Sequence, residues 1–397
     1  MLDLSQLARQ LPGISQHLKS EATTSRLRLE RARNLLIEIQ PETDDFIAIQ
    51  EEWRDRLTFA VATPVESLDT RVDIDPPPPS HTIVATDGSQ ISPSHHEIAY
   101  CYLINVGRIV LHYGQSLHPI LDSIPEVFYR QEDLYISQQW GIKTEEWMGY
   151  RRTVSETVML VELSLEIQNL LLRKSAAPLL ALVDGSLIYW FLESLPPEAR
   201  DTIIQPILAA WDQLAAAKIP LIGYISSSRS SESLNFLRLP ACTFPTHNCV
   251  VNCAEKVQKL PCQIFDPLRD SNLWGSVLEP GQRSPLWRSS TKILDSYGQH
   301  RVYFCYLHVG SEIARIEMPE WVALDQELLG RSLSLVIAQV QKGYGYPVAL
   351  AEAHNQAVVR GSDRSRFFSL LEQQMIKAGI KNVGVSYKES RKRGSIA

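Results

Sequence analysis

The chain has 397 residues, 44% of them hydrophobic and 21% charged, with a formal net charge of −6. That is a globular composition with room for two or three domains, and the acidic balance argues against a broad nucleic-acid-coating surface while leaving space for a local basic groove. No apolar run reaches membrane-spanning length and the opening MLDLSQLARQ has no signal-peptide core, so a cytoplasmic protein outside the membrane is expected.

Residues 1–72 read as amphipathic helix. Leu27, Leu29, Leu35, Leu36, Ile37, Ile39, Phe46, Ile47, Ile49 and Trp53 recur among Arg, Glu and Asp. This describes a helical arm or a core-facing hairpin. The stiff run Asp75-Pro76-Pro77-Pro78-Pro79 closes it as an N-terminal segment over 1–75. From Thr82 the pattern turns to strands: 82–87, then 97–106 and 108–113, joined by a tight turn at Asn105-Val106-Gly107. Residues 116–143 look irregular. A helix begins at Thr144-Glu145-Glu146 and keeps its apolar period to Leu172. A strand over 179–184, a helix over 203–217 and the buried strand IPLIGYI over 219–225 follow. The order β-β-β-α-β-α-β predicts a mixed sheet with helices on its faces. Residues 226–300 break that rhythm as an insertion with a Ser-rich turn and four cysteines. Strands resume at 302–309 and 313–318, and helices at 324–341 and 364–377. The main domain therefore spans 80–378, and a basic tail over 379–397, densest at 388–393, ends the chain.

Two of these strands share an ending. TIVATDGSQ and PLLALVDGSL are apolar runs that break at Asp87 and Asp184, each followed by Gly and Ser. Such runs read as strands buried on both faces, and the glycine permits a sharp exit. One copy is ordinary turn chemistry. Two copies on neighbouring strands put both carboxylates at one sheet edge, where open α/β sheets bind ligands. The helix between them offers Glu156, Glu162 and Glu166. The strand runs roughly 15–20 Å to its Asp, a distance that takes about 10–13 residues back up the helix from Arg173. Glu162 falls nearest, and Glu156, farther along, reaches if the helix is tilted. Taken singly, each glutamate also fits a solvated helix position. Three converging carboxylates hold divalent cations, and two cations about 4 Å apart around a phosphodiester are a nuclease device.

These segments resemble the NurA family of nucleases. The matching residues are ATDGSQ around Asp87, the helix 151–166, LVDGSLI around Asp184, IGYIS around Tyr224, LEPGQRS around Arg283 and YPVALAEAHNQAVV around His354. They stand in the family's order, from about residue 80 to residue 375. The resemblance implies a ribonuclease-H-like mixed sheet flanked by helices, with insertions. It also implies a metal-dependent nuclease, supported by manganese or magnesium, that degrades DNA from 5′ ends and cuts single strands. Partners so implied are DNA, a second copy of the chain and a HerA-type hexameric translocase that acts in DNA end resection or repair. Carried over by position, Asp87 and Asp184 are metal-binding aspartates, Glu162 or Glu156 is the third carboxylate, and Tyr224 and His354 are an active-site tyrosine and histidine. His354 is a metal ligand or a proton carrier in this reading, against a plain helix-surface position. Tyr224 has the alternative of a ring anchored in the core, and Arg283 that of a structural ion pair.

Cys242, Cys249, Cys253 and Cys262 cluster with His247 among them. In an intracellular chain such clustering points to metal before disulfides, as zinc or an iron–sulfur cluster. The C-x6-C-x3-C-x8-C spacing is no standard zinc pattern, which leaves reduced buried thiols as the alternative. A scaffold that docks a translocase without cutting, or a hydrolase of small phosphoesters, is the competing functional class.

Overall fold

The computed structural model describes residues 3–94, 97–174, 177–253 and 260–380. The expected basic tail lies outside the described residues. The strands assigned are β1 (Ala62–Pro64), β2 (Val72–Asp73), β3 (His81–Ile91), β4 (Tyr102–Tyr113), β5 (Ile120–Phe128), β6 (Leu179–Asp184), β7 (Leu221–Ile225), β8 (Gln282–Arg283), β9 (Trp287–Ser289), β10 (Val302–His308) and β11 (Ile313–Pro319). The chain divides into two compact units, with the first break between Asp75 and Pro76, inside the proline run.

One unit comprises residues 76–184, 189–223 and the chain from Glu327 on. Its strands stand in the order β5-β4-β3-β6-β7, the last contributing its first three residues. β3 pairs antiparallel with β4, and β4 with β5, while β3 and β6 run parallel from Thr82↔Leu179 to Ala85↔Leu182. Ile83, Val84 and Ala85 in β3 and Leu180, Ala181 and Leu182 in β6 are fully buried, as contiguous apolar runs in a covered sheet must be. The helix Thr144–Lys174 packs on β3, β4 and β6, and Val348–Ala357 crosses β3 and β4. A strand sends successive side chains to opposite faces. Asp87 meets the second of these helices and Gly88 approaches the first, so the helices cover opposite faces. This is the mixed sheet flanked by helices expected of a ribonuclease-H-like core.

The order β-β-β-α-β-α-β holds, but three boundaries differ from the expected ones. β3 does not stop at Asp87 and stays paired with β4 as far as Ile91↔Leu103. β4 runs unbroken through Gly107, where a turn was expected. A Cβ at Gly107 would lie 2.5 Å from Ala353 O and 2.6 Å from Ala357 N, so the glycine admits a crossing helix and makes no turn. The third strand is instead β5, within the stretch that looked irregular. It is mostly exposed and carries Pro125, so it shows none of the alternation that marks a half-buried strand.

The other unit holds residues 1–75, 185–188 and 224–326. The helix Leu4–Glu38 is followed by Thr43–Trp53, and the expected helical segment ends there, since β1 and β2 lie within 62–73. The strand order is β1-β9-β10-β11, with β8 pairing β10 and β2. Ala32 and Leu36 of the first helix, and Ile39 just after it, pack into a core with Phe236, Trp274, Trp287, Phe304 and Tyr306. The N-terminal helices and the cysteine-bearing stretch thus share one hydrophobic core.

Candidate active site

The β3–β6 ladder has an offset of 97 residues, and continuing it two pairs beyond Ala85↔Leu182 brings Asp87 level with Asp184. The two DGS copies solve different problems there. Gly185 has φ +113 and turns the chain out of β6, as expected from the sequence. Gly88 stays on its strand, and a Cβ there would stand 2.3 Å from Glu156 Oε1 and 2.8 Å from Arg152 Cγ. The missing side chain is the space in which Glu156 sits. Thr86 Oγ1 donates to the Glu156 carbonyl at 3.0 Å and fixes the helix against the strand at this level. Glu162 is exposed on the same helix. The glutamate beside the aspartates is therefore Glu156, because the helix is docked at Thr86 and Gly88 nearer its start than a straight climb from Arg173 assumes.

The remaining groups come from the C-terminal part of this unit. His354 Nδ1 lies 2.8 Å from Asp87 Oδ2. An ionised carboxylate only accepts, so Nδ1 is the donor here, and in the neutral ring that leaves Nε2 as the acceptor. The imidazole side chain is 66% exposed and Asp87 25%. Asn105 Nδ2 donates to Ala357 O at 2.8 Å, and Ser89 Oγ donates to the same carbonyl, so β3 and β4 hold the end of the histidine's helix. Tyr346 hydrogen bonds Asp184. Arg152 Nε stands 3.2 Å from Glu156 Oε1, one helical turn away.

The charges are crowded. Burial pushes the Glu156 carboxyl up to about 7, opposed by Arg152 and the Gly88 amide and reinforced by Asp87 and Asp184. Desolvation also raises Asp184, with Asp87 adding to it and the Tyr346 hydrogen bond and His354 opposing it. Asp87 makes ionisation of both Glu156 and Asp184 harder, and a cation is the natural relief.

The donor set fits a hard divalent ion, since all three groups are carboxylates. Among the described residues, no three His, Cys, Asp or Glu side chains are gathered as a ligand group as they stand. That applies equally to the cysteine segment. Cys249 and Cys262 are buried free thiols, Cys242 is a half-buried one, and Cys253 is half-buried. Cys262 Sγ accepts from Arg238 at 3.4 Å, and His247 Nε2 lies 3.0 Å from Leu239 O. Residues 254–259 of this segment lie outside the described ones.

Two expected site residues have other partners, both within the unit that holds residues 1–75, 185–188 and 224–326. Tyr224 is fully buried and its hydroxyl donates to Glu312 at 2.8 Å, so its ring is the core anchor. Arg283 forms a two-pronged ion pair with Glu66 at 2.6 and 2.8 Å, the structural alternative. Tyr346 and Arg152 were not singled out for the site. Tyr346 opens the very segment that contains His354, and Arg152 precedes Glu156 by the four residues that make a helical pair. Both signals were present in the sequence.

A mixed sheet with an acidic cluster where two adjacent parallel strands end is the architecture of ribonuclease-H-like proteins. More narrowly, the chain belongs to the NurA family, whose domain matches residues 81–359. Among solved structures it is similar to the NurA nuclease from Sulfolobus solfataricus, with a TM-score of 0.50 at 12% identity over 95% of this chain and 98% of that one. The catalytic domain of human Endonuclease V aligns with a TM-score of 0.32 at 11% identity, over 84% of this chain and 98% of that one, too slight a likeness to bear on the fold. No curated protein sequence matches the chain. Membership of the NurA family supports a nuclease.

Proposed function

We propose that the protein is a metal-dependent deoxyribonuclease that cleaves phosphodiester bonds through Asp87, Glu156 and Asp184. The observation that carries this reading is the coupling of three carboxylates beside Gly88, with Glu156 pushed up to about 7, inside the region matched by a nuclease family. A bound manganese or magnesium ion, or a pair of them, would supply an activated water and neutralise charge on the leaving oxygen. The chain's own residues do the rest. Asp87 fixes the imidazole of His354 through Nδ1, which leaves Nε2 to accept or return a proton at the attacking or leaving oxygen. Tyr346 orients Asp184, and Arg152 holds Glu156 in the gap at Gly88.

The finer reading adds 5′–3′ degradation of DNA ends, cutting of single strands, action as a homodimer and coupling to a HerA-type translocase. The decisive assay is manganese-dependent loss of end-labelled single-stranded DNA. Asp87→Asn and Asp184→Asn should each abolish it with the fold intact, since each keeps the side chain's shape and removes a charged ligand. Wild-type cutting by either purified variant would overturn the site.

A further inference from the structure

The turn between the helices Gln326–Lys342 and Val348–Ala357 carries the sequence Gly343-Tyr344-Gly345-Tyr346. Tyr344 N donates to Gln341 O at 3.3 Å and Gly345 N to Val340 O at 3.0 Å, the two bonds of a Schellman cap. In that cap the residue at the position of Tyr344 is left-handed, and Tyr344 has φ +55. Glycine is the residue that fills this position without strain, because an L side chain crowds the following carbonyl. A tyrosine here is therefore conformationally unfavourable, and its ring returns nothing to the core: it is 99% exposed, more than any other large hydrophobic side chain among the described residues. The turn also limits where the ring goes. At Gly343 a Cβ would meet Tyr346 O at 1.9 Å, so the chain folds back on itself there and leaves no room for bulk. Two residues beyond Tyr344, the Tyr346 side chain bonds Asp184. Two residues span at most about 7 Å of backbone, so the turn that carries the exposed ring adjoins the residue that bonds Asp184.

Strain and exposure combined at one position, next to a reactive centre, are the marks of a residue retained for contact with a ligand. We propose that Tyr344 is a stacking platform for a base of single-stranded nucleic acid, holding the strand beside the site. This rests on the nuclease reading above. A ring on a rigid turn presents a π-face, which suits any base and discriminates little between them. The bases of an intact duplex are already stacked on one another, so the platform serves an unpaired strand. The cap holds the ring in place before the strand arrives, so little ordering accompanies binding.

The test uses the full-length protein and a labelled single-stranded oligothymidylate. Tyr344→Gly should raise Kd and KM about 5- to 150-fold, the equivalent of one stacked base, and leave kcat within about twofold. Its Tm should stay the same or rise, because glycine relieves the left-handed backbone. Tyr344→Phe should bind like the wild type. An abasic scan supplies the signature: the wild type should lose affinity at one position of the strand, and Tyr344→Gly should be indifferent there. Cutting by the wild type together with an unchanged Kd in Tyr344→Gly would overturn the platform alone, and would point instead to a protein contact for the ring. A flat abasic scan in the wild type would do the same. Failure of the wild type to bind or cut DNA would overturn the nuclease reading and the platform with it.

Discussion

Glu156→Gln should inactivate the protein and, without metal, stabilise it. A carboxyl that ionises near 4.5 in the unfolded chain and at about 7 in the folded one binds its proton more tightly when folded. Between those two values the native state holds the extra proton, so stability falls as pH rises and levels off above about 7. With those two pKa values, linkage makes the metal-free protein about 2 kcal/mol less stable at pH 7.5 than at pH 5.5 through this one group. Asp184, also raised, acts in the same direction. Glutamine keeps the shape and has no charge to desolvate. Urea unfolding of both proteins in EDTA at the two pH values measures the effect. The variant should gain on the wild type by about 2 kcal/mol between pH 5.5 and 7.5, and manganese should close the gap at pH 7.5 by stabilising the wild type alone. Parallel pH profiles for the two proteins would refute the claim that Glu156 carries an unrelieved buried charge.

Other substitutions test the packing around it. Gly88→Ala puts a methyl group 2.3 Å from Glu156 Oε1 and displaces the carboxyl; loss of its placement should lower the cutting rate with labelled DNA about 10- to 100-fold, as for other groups that position metal ligands, with little change in Tm. Glu162→Gln should cut at the wild-type rate within about twofold, because exposed substitutions away from a site are near neutral. Gly107→Ala should lower stability by about 1–3 kcal/mol in thermal unfolding, since Ala353 O and Ala357 N leave no space for a Cβ.

Asp184 was legible because a parallel strand covered on both faces must be apolar along its whole length, so a charge marks its end, whereas at Asp87 the charge lies just past the pairing with β6 while β3 itself runs on beside β4. LALVD reads that way by itself. Position along the helix was not legible. Which of Glu156 and Glu162 faces the aspartates depends on Thr86 and Gly88 docking the helix, and neither contact leaves a period in the sequence. Gly88 and Gly107 were read as turn glycines, the local explanation. Both are needed for the close approach of helices distant in the chain. The strand ILDSIPEVF was hidden for a related reason: with little burial there was no hydrophobic pattern to write. Tyr224 stood out because a tyrosine ending a buried strand looks placed, while the Asp184 partner of Tyr346 is visible only once the chain has folded.

The contact between Asn105 and Ala357 joins residues 252 apart in sequence. On a ribosome adding about 5–20 residues per second, β4 emerges some 12–50 s before the segment that will cross it at Gly107. Throughout that interval the nascent chain carries Asp87, and later Glu156 and Asp184, without Tyr346 or His354. Termination between Asp184 and Tyr346 yields a polypeptide with all three acidic residues but without Tyr346 and His354. Completion of the proposed catalytic set is thus tied to the late arrival of the helix Val348–Ala357.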